Sequence, residues 1–82
     1  MAPGTQTLAI LAKIESLLAE AVSSKSKLLQ VQIRLADIRH SDEMNAVWDA
    51  WVSPGNAPAR ATVEAKLASP DYKVEIMVVA AR

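Results

Sequence analysis

Leu29, Val31, Ile33 and Leu35 alternate with Gln30, Gln32 and Arg34, the period of a strand with one buried face. The pattern predicts a strand over roughly Leu28 to Ile38. Its apolar face must be covered, and the sequence on either side supplies the cover. Before it, Leu8, Leu11, Ile14, Leu18 and Val22 recur at helical spacing with Glu15 and Glu20 facing away, which predicts an amphipathic helix ending near Ser23-Ser24. Thr5 or Thr7 serves as its N-cap. After it, Ser41 offers a second N-cap, and Asp42 and Glu43 occupy a first turn where carboxylates favour the helix dipole. Met44, Val47, Trp48 and Trp51 form the apolar stripe of this second helix.

The turn formers Ser53-Pro54-Gly55-Asn56 stop that helix. Two further strands follow at about Arg60 to Leu67 and Lys73 to Ala80, joined through Ser69-Pro70-Asp71. The order is helix, strand, helix, strand, strand across one 82-residue domain, an α+β arrangement in which three strands pack one face against two helices. Repeats, low-complexity tracts and linkers are absent from the sequence. A sheet this small leaves hydrogen-bonding edges that invite another subunit. At this size only about 60% of the unfolded chain's surface is buried on folding, so oligomerisation is an expected source of further burial.

The core has to be built from Leu, Ile, Val and Ala, because there is no Phe and the aromatic residues are Trp48, Trp51 and Tyr72. Nine basic and nine acidic residues cancel, and neither sign gathers into a run, which removes a general electrostatic case for nucleic acid. One histidine, His40, and no cysteine give no metal-ligand set, and His40 reads as an ordinary surface residue. A phosphate loop, a nucleophile elbow or a Ser-His-Asp arrangement cannot be assembled either. The amino end lacks the regions of a signal peptide and no apolar run reaches membrane-spanning length, so a cytoplasmic protein is the default reading.

Three residues carry candidate chemistry. Arg60 stands where a proline-led loop becomes a strand, a position that can present a planar guanidinium fork to a carboxylate; on pattern alone it reads first as a surface arginine bonding loop carbonyls. Glu75 lies on a strand whose other face carries Val74, Ile76, Val78 and Ala80, and pattern alone makes it solvent-facing. Asn45 lies off the second helix's apolar stripe and reads as an exposed polar residue. The tryptophans and Met77 read as core or subunit-contact residues.

The first helix with its Leu-Leu-Ala-Glu-Ala ending, Leu35-Ala36-Asp37-Ile38, Met44-Asn45-Ala46-Val47-Trp48-Asp49-Ala50-Trp51, the Pro58-Ala59-Arg60 strand start and the Val74-Glu75-Ile76 strand start occur in order. Together they resemble the Rid family, also called YjgF or L-PSP. Family members usually begin with two strands ahead of the first helix, and this chain is expected to lack them. The resemblance implies a homotrimer with sites in clefts between subunits. It also implies hydrolysis of reactive 2-imino or enamine acids to 2-oxo acids and ammonia, without a cofactor. By motif, Arg60 binds the substrate carboxylate, Glu75 positions or activates the attacking water, and Asn45 lies near the pocket. A non-catalytic oligomeric module that binds a small carboxylate is the alternative, and a ribonuclease role sits poorly with the neutral charge.

In a simple hairpin of the last two strands, Arg60 lies on the order of 15 Å or more from the partner of Glu75. The family fold instead inserts the Leu28 to Ile38 strand between the two. Either way, the two residues are expected to serve one small acid only from different subunits.

Overall fold

The structure, a computed structural model, describes Ala2 to Arg82. Helix α1 spans Pro3–Glu20 and begins earlier than either threonine would have it. Proline suits the first helical position because the N–H it lacks is one the helix cannot use there. Ala2, at the cap position, offers no side-chain bond. The cap comes from elsewhere in the chain: the Gly4 amide donates to the Glu43 carboxylate of the second helix. A Cβ on Gly4 would lie 3.0 Å from Glu43 Oε2, so glycine permits this approach. Thr5 and Thr7 are inside the helix, and the Thr7 hydroxyl donates to the Pro3 carbonyl (2.7 Å) from a fully buried position. The buried stripe therefore runs Pro3, Thr7, Leu11, Ile14, Leu18, while Leu8 and Val22 are exposed.

The helix ends before Ser23-Ser24 in a left-handed turn. The Ser23 amide bonds Leu18 O (2.8 Å) and the Val22 amide bonds Ala19 O (3.1 Å), the paired closure of a Schellman motif. Val22 holds the left-handed position at φ 58°, where a β-branched side chain is strained and glycine is usual. Its side chain is 81% exposed and has little packing to lose. Val22→Gly is expected to raise stability by about 1 kcal/mol, read as a higher denaturant midpoint at unchanged slope. A lower midpoint would contradict this assignment.

Strand β1 spans Leu28–Leu35 and stops short of Ile38. Asp37 is the cause. Its carboxylate accepts the Arg39 backbone N–H (2.9 Å) and grips the Arg39 guanidinium (Nη2 to Oδ2, 2.6 Å), bending the chain into a single 3-10 turn over Ile38–His40. The Ile38 amide bonds Glu64 Oε1 (3.0 Å) in place of a ladder partner. The Arg39 side chain, then its backbone N–H, hold the Asp37 carboxyl at about 2 against an ordinary 3.8. A carboxyl depressed in the fold contributes stability that is complete above its unfolded value and lost as pH falls through the folded one. Asp37→Asn is therefore expected to flatten the loss of stability between pH 3.8 and 2. Urea titrations of parent and variant across this window, if parallel, would refute the assignment.

Helix α2 covers Ser41–Trp51; His40 occupies the cap position without a side-chain bond, so Ser41 is the first helical residue rather than the cap. Asp42 and Glu43 lie in its first turn as the sequence suggests. Strand β2 spans Ala59–Glu64 and β3 spans Val74–Ala80, both shorter than expected. The sheet order is β2-β1-β3, with β2 parallel and β3 antiparallel to the central β1. The last two strands are thus not a hairpin, because β1 lies between them. Helix α2 makes the crossover that a parallel pair requires.

Both helices cover the same face. Leu11, Ile14 and Leu18 of α1, Met44 and Trp48 of α2, Val31, Ile33 and Leu35 of β1, and Val74 of β3 form the core, with Leu28 at its end. Val47 and Trp51 are partly buried against it, and the Trp51 indole donates to Glu15 (3.1 Å). The other sheet face is open. Met77 is half exposed there rather than part of this core, and Val63 and Val79 are comparably exposed.

Candidate functional site

The loop before β2 turns through Gly55, whose φ of 75° lies in the region glycine occupies freely, and the Asn56 amide closes on Ser53 O (3.1 Å). Pro58 then delivers an extended chain to β2, where Arg60 is the second residue. In the parallel register Arg60 is paired with Val31, which is fully buried under the helices. Paired residues share a face, so Arg60 is directed toward α2. Its Nη1 donates to Asn45 Oδ1 (2.8 Å), and its Cζ lies 5.5 Å from the centre of the Trp48 ring. The guanidinium is held from one side by an amide and supported by an indole, an arrangement that restrains it and adds cation–π attraction. Its Nε and Nη2 donors have no partner among the described residues, leaving polar capacity for an incoming anion. Asn45 is thereby joined to Arg60.

Glu75 is the second residue of β3 and is paired with Arg34 of β1. Arg34 lies between the buried Ile33 and Leu35, so it and Glu75 belong to the open face. Arg34 Nη1 meets Glu75 Oε1 at 3.1 Å, with the two side chains 47% and 50% exposed. An exposed pair of this kind adds less than about 1 kcal/mol to stability. Glu75 also lines a groove of about 880 Å³ that runs beside β3, between Gln6, Ala9 and Ile10 of α1 and the turn through Asp71 and Tyr72. Neither that groove nor a second of about 740 Å³, around Glu64 to Ser69, includes Arg60.

Arg60 and Glu75 consequently occupy opposite edge strands and opposite faces. Their partners Val31 and Arg34 are three positions apart on β1, which with two strand spacings separates the Cα atoms by on the order of 14 Å. The structure brings Arg60 and Asn45 together and keeps Glu75 apart from both.

Two residues of these environments were not assigned to them from sequence. Trp48 read as core, and it is buried, yet its ring also supports Arg60. Arg34 was one polar residue in an alternating strand; the signal that finds it is the strand order, which sets it opposite Glu75. His40 is partly buried rather than on the open surface, and its Nδ1 and the Thr62 hydroxyl lack hydrogen-bond partners among the described residues. Those residues contain no group of three or more His, Cys, Asp or Glu suited to a metal ion. No helix among them is long and apolar enough to cross a membrane.

Two helices on one face of a mixed three-stranded sheet, with an arginine at the loop-to-strand junction, define the class. The chain belongs to the Endoribonuclease L-PSP family, the Rid/YjgF group, whose profile matches residues 2–82. It is 50% identical over 76 residues to the RutC family protein YoaB of Escherichia coli, covering 93% of this chain and 67% of that protein. It is 46% identical over 76 residues to a RutC family protein of Haemophilus ducreyi, covering 93% of this chain and 65% of the relative. The crystal structure of a YjgF family member from Neisseria meningitidis superposes with a TM-score of 0.91 at 51% identity, covering 92% of this chain and 63% of that one. The chain thus spans about two thirds of the length of these relatives.

Proposed function

We propose that the chain contributes both halves of a Rid-type site, formed between subunits, that hydrolyses 2-imino or enamine acids to 2-oxo acids and ammonia. The observation that carries this reading is the anchored Arg60, whose uncommitted N–H groups suit a carboxylate. In this mechanism Arg60 fixes the substrate carboxylate and so the angle at which the imine carbon is presented. Glu75 of a second subunit accepts a proton from water as its oxygen adds to that carbon. That proton passes to nitrogen, giving a carbinolamine. The carboxylate then moves the new hydroxyl's proton to nitrogen as the C–N bond breaks, so ammonia leaves and the carbonyl of the 2-oxo acid remains. The imine carbon is already electrophilic, so this route needs no cofactor.

Assembly of copies, in this reading a trimer, is supported by the open sheet face, where Leu29, Val63, Met77 and Val79 leave apolar surface in water. Two edge strands, β2 and β3, add unpaired backbone groups.

The test is paired titration and turnover. The parent is expected to bind a 2-oxo acid and to accelerate decay of imines generated in place from amino acids. Arg60→Lys is expected to weaken that binding at least about tenfold although charge is kept, because a point ammonium cannot bond Asn45 and still present a planar fork. Equal affinity of variant and parent removes the clamp. Binding without accelerated imine decay would instead favour a non-catalytic module that retains a small carboxylate.

A further inference from the structure

We infer that Arg34 is a positioning residue for Glu75, holding one oxygen of its carboxylate so that the other is turned to water. This rests on the reading of Glu75 as the water-directing carboxylate. The two residues are direct antiparallel partners, Arg34 on the central strand and Glu75 on the edge strand. Arg34 is carried on the most constrained strand of the sheet, with Ile33 and Leu35 on either side fully buried. A guanidinium fixed at its base by that strand is a firm reference point for a flexible glutamate.

The contact engages Glu75 Oε1 through a single N–H at 3.1 Å, while Oε2 has no donor among the described residues. A bidentate grip would occupy both oxygens and oppose proton acceptance; a one-point hold leaves a lone-pair face available. The pair is half exposed on both sides, so water reaches it. Its small expected share of stability leaves orientation as the role that the geometry supports.

The experiment compares parent, Arg34→Leu, Arg34→Lys, Glu75→Gln and the Arg34→Leu/Glu75→Gln double variant in imine hydrolysis. Arg34→Leu is expected to lower kcat about tenfold with KM nearly unchanged, as loss of orientation does. Arg34→Lys should recover part of this loss, and Arg34→Leu should add nothing once Glu75 is glutamine. Carbon-13 relaxation of the Glu75 side chain, measured alongside, should show a restrained carboxylate arm in the parent and a freer one in Arg34→Leu. If Glu75→Gln turns over like the parent, the role of Glu75 fails. If Glu75→Gln is slow but Arg34→Leu matches the parent, the positioning role alone fails. An equal kcat loss from Arg34→Leu in both Glu75 backgrounds, or equal Glu75 mobility in parent and Arg34→Leu whatever the turnover, also overturns it.

Discussion

Replacing Glu75 with glutamine is expected to leave 2-oxo acid binding close to that of the parent and to lower the proposed imine hydrolysis by about 100-fold. The amide keeps the size of the carboxylate and can still bond a water, but it cannot accept the proton that water must lose to attack the imine carbon. Binding should be spared because the proposed carboxylate clamp is Arg60, which lies on the other face of the sheet and at the opposite edge. The substitution falls on a half-exposed side chain of an edge strand, so the fold is expected to tolerate it. Both measurements belong on one preparation. Parental turnover in the folded variant would return Glu75 to the role of a solvent-facing residue.

Ile33→Ala is expected to cost about 2 to 5 kcal/mol of stability. Ile33 is fully buried at the middle of β1, between Thr62 on one neighbouring strand and Ile76 on the other. Truncation removes transfer energy and leaves a cavity that a strand paired on both sides cannot close by moving. A chain of this size has only about 4 to 12 kcal/mol of stability at ordinary values per residue, so at the middle of both ranges the loss is close to half. Urea denaturation at fixed protomer concentration measures it, since assembly would otherwise shift the midpoint. A change below about 1 kcal/mol would contradict the core assignment.

The central strand was legible because its alternation holds from Val31 onward, where Val31, Ile33 and Leu35 are buried and the residues between them are not. At its start an irregular register between Leu28 and Gln30 buries Leu28 and leaves Leu29 exposed, against the expected pattern. The stripe of α2 and the two outer strands were legible for similar reasons of period. The start of α1 was not, because its cap is Glu43, a residue far along the chain whose reach depends on how the helices pack. The end of β1 was hidden in the Asp37 to Arg39 grip, which competes with the ladder locally while Leu35-Ala36-Asp37-Ile38 still reads as extended. Leu8 is exposed because the buried stripe of α1 runs through Thr7 and Leu11 instead, and Val22 because it lies in the left-handed turn beyond the helix, neither of which spacing alone reveals.

For the candidate site, the motif singled out Arg60, Glu75 and Asn45, while pattern alone left each open to a bland reading. What the sequence withheld was register. The resemblance already implied the central place of β1, but only the pairing register shows that Arg60 faces α2, where Asn45 and Trp48 hold it, and that Arg34 stands across from Glu75 on the other face.

That division of faces makes a shared site a property of the assembly, and mixing subunits is the most direct test. Arg60→Ala and Glu75→Gln, each expected to be strongly impaired alone, are unfolded together at equal concentration, refolded, and assayed for imine hydrolysis against each variant refolded by itself. If every site takes Arg60 from one subunit and Glu75 from its neighbour, random mixing restores about a quarter of the sites, and turnover returns to about that fraction of the parent's. Turnover no greater than the average of the two variants, in oligomers shown to contain both, would contradict a site shared between subunits.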